Sequence, residues 1–342
     1  MTGLSVFQIA TPYQTGNGFL LPGTSYVVTH EHIVRDCATA TLNALGGSPL
    51  SAPVVYVDMR RDLALLDISK WPDEANFPTA APPTGRYTAF GMDAQRGLLT
   101  AMGDLLGEQT RPSGIDYLEH NALLKDTHSG GPLLDPDGKL CGINSFLHRN
   151  GAAVAYALPE RHLREAADLN ILRSAVRCLD CDQIAYDHLD GAQCLNCERP
   201  LSYPHEIAPY ESTGIAKTIE EILERSGYDI ATSRRGRHSW SVTQGSARIQ
   251  LHYSDEEGIL TGDAYLCRLN EDRCPEIYEY LLRENFALEG LSLSVHEGSV
   301  LLSLLIHDAY LHVDTGTRRF AHLCRTADVY DETLVREFGC TF

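Results

Sequence analysis

One short stretch, Asp126-Thr127-His128-Ser129-Gly130-Gly131-Pro132, constrains this chain more than any other. Two glycines and a proline after a serine, ahead of Leu133-Leu134 and a Pro136-Asp137-Gly138 turn, describe a hydroxyl held on a tight bend. The small neighbours leave room for a carbonyl group to reach both the hydroxyl and the local backbone amides. A serine hydroxyl is a weak nucleophile until a base activates it. Ser-Gly-Gly also occurs in ordinary turns, so its meaning depends on what else the chain supplies.

Upstream, Tyr26-Val27-Val28-Thr29 is a β-branched run leading to His30-Glu31-His32, and Asp62 opens the apolar segment Leu63-Ala64-Leu65-Leu66. His32 is the candidate general base for Ser129. Asp62 is the candidate orienting acid, which would hold the second imidazole nitrogen and stabilise the imidazolium. The order His32, Asp62, Ser129 is that of the chymotrypsin-type triad. Asp58, four residues before Asp62, competes for the acid role. His30 and His32 alternate on a strand-like run, which puts both on one face and suggests a metal pair. No third ligand is adjacent in sequence, and the two-histidine helical zinc pattern is missing.

Residues 14 to 160 resemble a trypsin-like serine protease of the HtrA/Do subtype. The resemblance rests on Gly16-Asn17-Gly18-Phe19-Leu20, Thr29-His30-Glu31-His32, Asp62-Leu63-Ala64-Leu65-Leu66, Ser129-Gly130-Gly131-Pro132-Leu133-Leu134, Gly142-Ile143-Asn144-Ser145 and Ala155-Tyr156-Ala157-Leu158-Pro159, in that order. It implies a chymotrypsin-like double β-barrel, peptide-bond hydrolysis and an oxyanion hole built from the backbone N–H groups of Thr127 and Ser129. It also implies that Leu123, six residues before Ser129, floors the primary specificity pocket, so that cleavage would follow small or medium apolar residues. Two positions depart from the family. Thr127 stands where the family usually has glycine, and a β-branched residue resists unusual backbone angles. His128 stands where Asn or Asp is common, and reads as a solvent-facing loop residue.

Four of the ten cysteines form Cys178-Leu179-Asp180-Cys181 and Cys194-Leu195-Asn196-Cys197. Each CxxC pair can place two thiolates on one side of a tetrahedral metal, and the segment between them can bring the pairs together. This reads as a zinc ribbon with one structural zinc per chain. Two disulfides and a redox CxxC are the rival readings. No signal-peptide pattern opens the sequence, which disfavours disulfides and leads to the expectation of a cytoplasmic protein. Four thiolates close the site, so the metal is expected to stabilise folding. The remaining cysteines read as packing residues. His188 and His205 read as solvated neighbours of the ribbon.

A chain of 342 residues accommodates two or three domains. The expected architecture is a protease domain over 1–173, a zinc ribbon over 174–206 and an α+β domain over 207–342. A helix from Pro159 should close the protease. In the last region Ile215, Ile219, Ile222 and Leu223 form a helical stripe, followed by strand patterns over 240–242, 247–253 and 259–268. A helix over 277–286, a hairpin around Glu297-Gly298 and a final amphipathic helix complete the order α-β-β-β-α-β-β-α. That order resembles the type III secretion chaperone-like fold and its YbjN relatives, which implies a protein-binding module and a homodimer as one option. Arg234-Arg235-Gly236-Arg237-His238 reads as a basic turn.

The net charge of -18 argues against binding a phosphate backbone, and no apolar run reaches membrane-spanning length. The sequence therefore leads to a serine endopeptidase acting on protein or peptide substrates, targeted or regulated by a partner of its C-terminal domain. A catalytically silent, peptide-binding adaptor is the alternative.

Overall fold

The computed structural model describes residues 4–44, 47–71, 79–80, 85–93, 97–149, 152–169, 171–245 and 247–341. It divides into two compact units, Met1–Tyr210 and Glu211–Phe342.

The first unit begins with β1 (Leu4–Ala10), β2 (Thr15–Leu20), β3 (Tyr26–Thr29), the one-turn helix α1 (Glu31–Val34), β4 (Thr39–Asn43), β5 (Leu50–Asp58) and β6 (Leu63–Asp67). These strands pair in the order β4-β1-β2-β3-β6, and β5 pairs with both β6 and β4, closing a six-stranded barrel. The two-residue strand β7 (Thr79–Ala80) pairs with β1. Successive side chains on a strand point to opposite faces, and β6 shows the result. Ala64 and Leu66 join the apolar cluster of Phe7, Ile9, Val27 and Leu42, while Leu63 and Leu65 join that of Phe19, Phe90, Leu134 and Ile143. One face thus fills the barrel, and the other packs against the second sheet.

That second sheet contains β8 (Tyr87–Asp93), β9 (Gly97–Gly103), β10 (Leu105–Thr110), β11 (Asp116–His120), β12 (Pro132–Leu134), β13 (Leu140–Arg149) and β14 (Ala152–Pro159). Its order is β10-β11-β14-β13-β12-β8-β9, and among the described residues it stays open. The expected chymotrypsin-like double barrel is therefore present as one closed barrel and, among the described residues, a half-barrel. Helix α2 (Glu160–Ala167) buries Leu163 and Ala166 in the core shared by the two sheets, as the closing helix should.

The cysteine segment does not form a separate domain. Its strands β15 (Ala175–Arg177) and β16 (Ile184–Tyr186) extend the barrel sheet, because β15 pairs in parallel with β5. Helix α3 (Asp187–Asp190) follows. The expected three-part division is thus corrected to two units, with the ribbon hydrogen-bonded into the first. His205 and His188 are also less free than expected. His205 Nδ1 lies 3.0 Å from Ser174 Oγ, and both histidines flank the buried Asp187 carboxylate.

The second unit runs α4 (Gly214–Arg225), the short α5 (Ile230–Ser233), β17 (Ser239–Gln244), β18 (Ala247–Ser254), β19 (Ile259–Arg268), α6 (Cys274–Ala287), β20 (Leu291–His296), β21 (Ser299–His307) and α7 (Val313–Phe338). The antiparallel sheet has the order β17-β18-β19-β21-β20. Apart from the one-turn α5, this is the element order expected from periodicity. Ile219, Leu223, Phe320 and Leu323 of the helices share one core with Ile249, Leu251, Leu302 and Leu304 of the sheet. The basic turn is partly drawn inward: Arg234 makes two hydrogen bonds to the buried Glu220 carboxylate, at 2.6 and 2.8 Å, which also accepts from Trp240 Nε1. Among the described residues, no helix is long and apolar enough to cross a membrane.

Candidate active site

The histidine sits where β3 gives way to α1, so His30 and His32 are not strand neighbours as their alternation suggested; His30 caps the helix and His32 lies within it. His32 Nδ1 lies 2.7 and 2.9 Å from the two oxygens of Asp62, and the His32 amide donates to Asp62 Oδ1 at 2.9 Å. This pairing holds the proton on Nδ1 and leaves Nε2 as the acceptor. Burial works to raise the Asp62 pKa, but the His32 hydrogen bond and the nearby His30 and His32 rings hold it at about 2. Asp62 therefore stays ionised at neutral pH. Asp58 is instead enclosed by Arg61 and Arg177, so the acid facing the histidine is Asp62.

His30 plays a part that sequence did not disclose. It is 3 % exposed, and its ring nitrogens each lie 2.9 Å from a carbonyl oxygen, Nδ1 from Asp62 and Nε2 from Asn144. The His30 ring stacks on His32 at 5.3 Å. Asp62 is the third group that the sequence lacked for a metal site beside His30 and His32. His30 Nδ1 and Nε2 nevertheless each face a carbonyl oxygen, so a metal bound there would displace one of those contacts.

The same Asn144 carbonyl accepts from the Gly130 amide at 2.8 Å, so the serine loop and His30, whose other ring nitrogen faces the Asp62 carbonyl, meet at one atom. Asn17, fully buried on β2, holds the loop from the other side. Its Nδ2 donates to the carbonyls of Thr127 at 2.8 Å and Ser129 at 3.2 Å, and its Oδ1 accepts from the Met92 amide. The glycines permit this approach. Gly130 has φ +84, and a Cβ there would meet the Asn17 carbonyl at 2.2 Å; at Gly131 a Cβ would meet the Phe90 carbonyl at 1.8 Å. Among the described residues, no hydrogen bond joins Ser129 Oγ to His32. Such contacts commonly tighten only when substrate arrives.

Thr127 lies at the centre of a 3-10 turn, Asp126–His128, and is absent from the non-glycine residues with positive φ. Its Oγ1 is buried without a partner. His128 is buried, not solvent-facing, because its amide donates to the Lys125 carbonyl and its Nδ1 accepts from the Lys125 amide, folding the ring beneath the turn. Burial lowers its pKa. Leu123 also departs from expectation. At 87 % exposure it is a surface residue and does not form the floor of an enclosed pocket; the buried neighbours on this segment are His120 and Ala122.

Cys178, Cys181, Cys194 and Cys197 come together with all four Sγ atoms within 4.8 Å of one another. The pairs Cys178–Cys197 and Cys181–Cys194 are 3.5 Å apart. A disulfide requires about 2.05 Å, whereas four thiolates around one tetrahedral zinc stand about 3.8 Å apart. Each CxxC forms the same turn. The Asp182 amide returns to the Cys178 carbonyl at 3.0 Å and the Glu198 amide to the Cys194 carbonyl at 2.8 Å, with both acidic residues at left-handed φ. The residues present fit a four-thiolate metal.

Residues 16–143 match the family of trypsin-like peptidase domains. The serine protease Do-like HtrA of Bacillus subtilis (strain 168) is 24% identical over 244 residues, covering 63% of this chain and 54% of that protein. A probable periplasmic serine endoprotease, DegP-like, of Brucella suis biovar 1 (strain 1330) is 28% identical over 186 residues, covering 48% of this chain and 34% of that protein. The chain thus spans about half or less of the length of these relatives. A serine endoprotease structure from Yersinia pestis aligns at TM-score 0.39 and 22% identity, covering 48% of this chain and 61% of that one. Residues 16–143 are thus similar to trypsin-like peptidase domains, and the chain is similar over part of its length to HtrA and DegP-like serine proteases.

Proposed function

We propose that this chain is a serine endopeptidase in which Ser129 attacks the scissile carbonyl, His32 takes and returns the proton, and Asp62 holds His32 in its working tautomer. The observation that carries this reading is the Asp62 carboxylate 2.7 Å from His32 Nδ1, linked to the serine loop through His30 and the Asn144 carbonyl. The amides of Thr127 and Ser129 would receive the oxyanion. Substrates are proteins or peptides. Mapping new protein N-termini in cells that express the wild-type chain or Ser129→Ala tests this: cleavage sites should appear with the wild type alone. Identical N-termini in both would refute it.

The 3-10 turn at Thr127 and the unengaged Ser129 hydroxyl favour one second reading, a peptide-binding adaptor without chemistry. Full partner function in Ser129→Ala would select it.

The four cysteines would hold one structural zinc, which supplies cross-linking of the two CxxC turns and no catalytic step. Protein purified without chelator should carry one zinc per chain, and metal analysis that finds none would exclude the site. Thiolate ligands of this kind suit a reducing compartment, so we place the protein in the cytoplasm. The second unit would recruit or sense a protein partner, in the manner of type III secretion chaperone-like and YbjN-like modules, with pairing to a second copy as an option. In its support, α6 presents Tyr278, Leu282 and Phe286, four residues apart and exposed, as an apolar stripe.

A further inference from the structure

The acid of the site and the first cysteine turn are joined by buried charges. Asp62 lies in the four-residue turn between β5 and β6, with φ +53, a left-handed conformation uncommon outside glycine and tolerated best by Asn and Asp. The turn is imposed from two sides. Asp58 closes it from within, its Oδ1 accepting the amides of Arg60 at 3.1 Å and Arg61 at 3.0 Å. Asp182, the residue after Cys181, closes it from the ribbon. Its carboxylate receives both arms of the Arg61 guanidinium, at 2.8 and 3.0 Å, and Arg61 Nη1 also reaches Asp58 at 3.1 Å. The planar fork of arginine makes such a pair directional as well as strong.

A second arginine ties the same parts together. Arg177 directly precedes Cys178 and is 6 % exposed. Its Nε lies 3.0 Å from Asp58 and 3.1 Å from the Tyr56 hydroxyl, its Nη2 lies 2.6 Å from Glu165, and its Nη1 donates to the Asp182 carbonyl at 3.1 Å. Asp58 itself is wholly buried. Buried charges persist only while paired, so displacement of Asp182 leaves Arg61 and Asp58 to find other arrangements. The position of Asp182 depends on the cysteine turn, because its amide bonds the Cys178 carbonyl and its backbone is left-handed.

We propose that the first cysteine turn is a positioning element for the active site: metal held by the four thiolates fixes Asp182, Asp182 fixes Arg61, and Arg61 fixes the turn that presents Asp62 to His32. This rests on the zinc and serine-protease readings above and adds a dependence of the second on the first. Arg61 and Asp182 touch no substrate. They act through Asp62, and the ribbon becomes a condition for the correct histidine tautomer.

The test reads that tautomer directly, without substrate, in the full chain. Long-range proton–nitrogen NMR of the His32 ring shows whether the proton sits on Nδ1. Zinc-loaded wild type should show Nδ1–H. Asp182→Ala should keep one zinc per chain yet lose the pure Nδ1–H form, with kcat lowered at least tenfold and KM little changed. Asp182→Glu should restore both, and removal of zinc from the wild type should reproduce the Asp182→Ala spectrum. An Nδ1–H spectrum retained in zinc-loaded Asp182→Ala, or in metal-free wild type, overturns the proposal, as does a zinc-loaded wild type lacking Nδ1–H. Arg61→Lys, which keeps charge but loses the fork, checks that the effect follows geometry and not unfolding. Zinc stoichiometry and cleavage are measured separately, so failure of either underlying reading is distinguishable from failure of the link.

Discussion

The two halves of the candidate site differ in how completely their polar groups are satisfied. On the acid–base side, Asp58, Arg61, Arg177 and Asp182 bond one another and both His30 ring nitrogens face carbonyl oxygens, Arg61 Nε being the buried atom left over. Around the nucleophile the reverse holds. Among the described residues, Thr127 Oγ1 and His128 Nε2 are buried without partners. Unpaired buried polar atoms are costly, so the serine loop has bonds still to gain. The contrast teaches that the His32–Asp62 pair is assembled at rest; in the proposed mechanism the oxyanion hole and nucleophile are then the conditional part.

The comparison can be broken on its firm side by Asp62→Asn. Geometry would persist, but the amide would favour the wrong histidine tautomer, and kcat should fall about 10⁴-fold. A fall below tenfold, measured on a cleaved protein substrate, would mean that the pairing is not what matters.

The conditional side is sharpened by Thr127→Gly. If the β-branch holds the 3-10 turn against the oxyanion geometry, glycine should raise kcat, by about a hundredfold if one oxyanion donor is gained. An unchanged or lower rate would show that the hole is already formed with threonine.

The smallest effect concerns His120. Burial lowers its pKa from 6.5 to about 4, so the folded protein keeps the ring neutral while the unfolded chain takes up a proton. This contribution is complete above pH 6.5 and declines as pH falls from 6.5 to about 4. Stability in that window should therefore drop with acidification by at most about 1.4 kcal/mol per pH unit from this residue. His120→Leu should flatten the slope in urea unfolding measured across the window, while His128 and His162, also lowered by burial, leave a remainder. An unaltered slope would mean that His120 gains a partner in solution.

The two sides also differed in what sequence disclosed. That His32 would meet Asp62 and that the four cysteines would gather was legible, because few residue types suit such pairings and the chain places them in recognisable local surroundings. Strand alternation and helical stripes made the second unit's element order legible for the same local reason. What escaped were pairings between distant segments. Nothing near Asn17 announces that its side chain will hold the Thr127 and Ser129 carbonyls, and nothing near Asp182 announces Arg61, 121 residues away. Leu123 and His128 were misplaced because exposure in a loop depends on how the turn is packed, which residue type alone does not decide.

The central claim is that Ser129 is an activated nucleophile. A fluorophosphonate probe followed by mass spectrometry tests it most directly, since the probe forms a covalent adduct with a serine activated by its base. The account predicts one adduct, on the peptide carrying Ser129, lost in Ser129→Ala and strongly reduced in His32→Ala. No adduct on Ser129 in the zinc-loaded protein, with or without unfolded protein as substrate and in both wild type and Thr127→Gly, would contradict it.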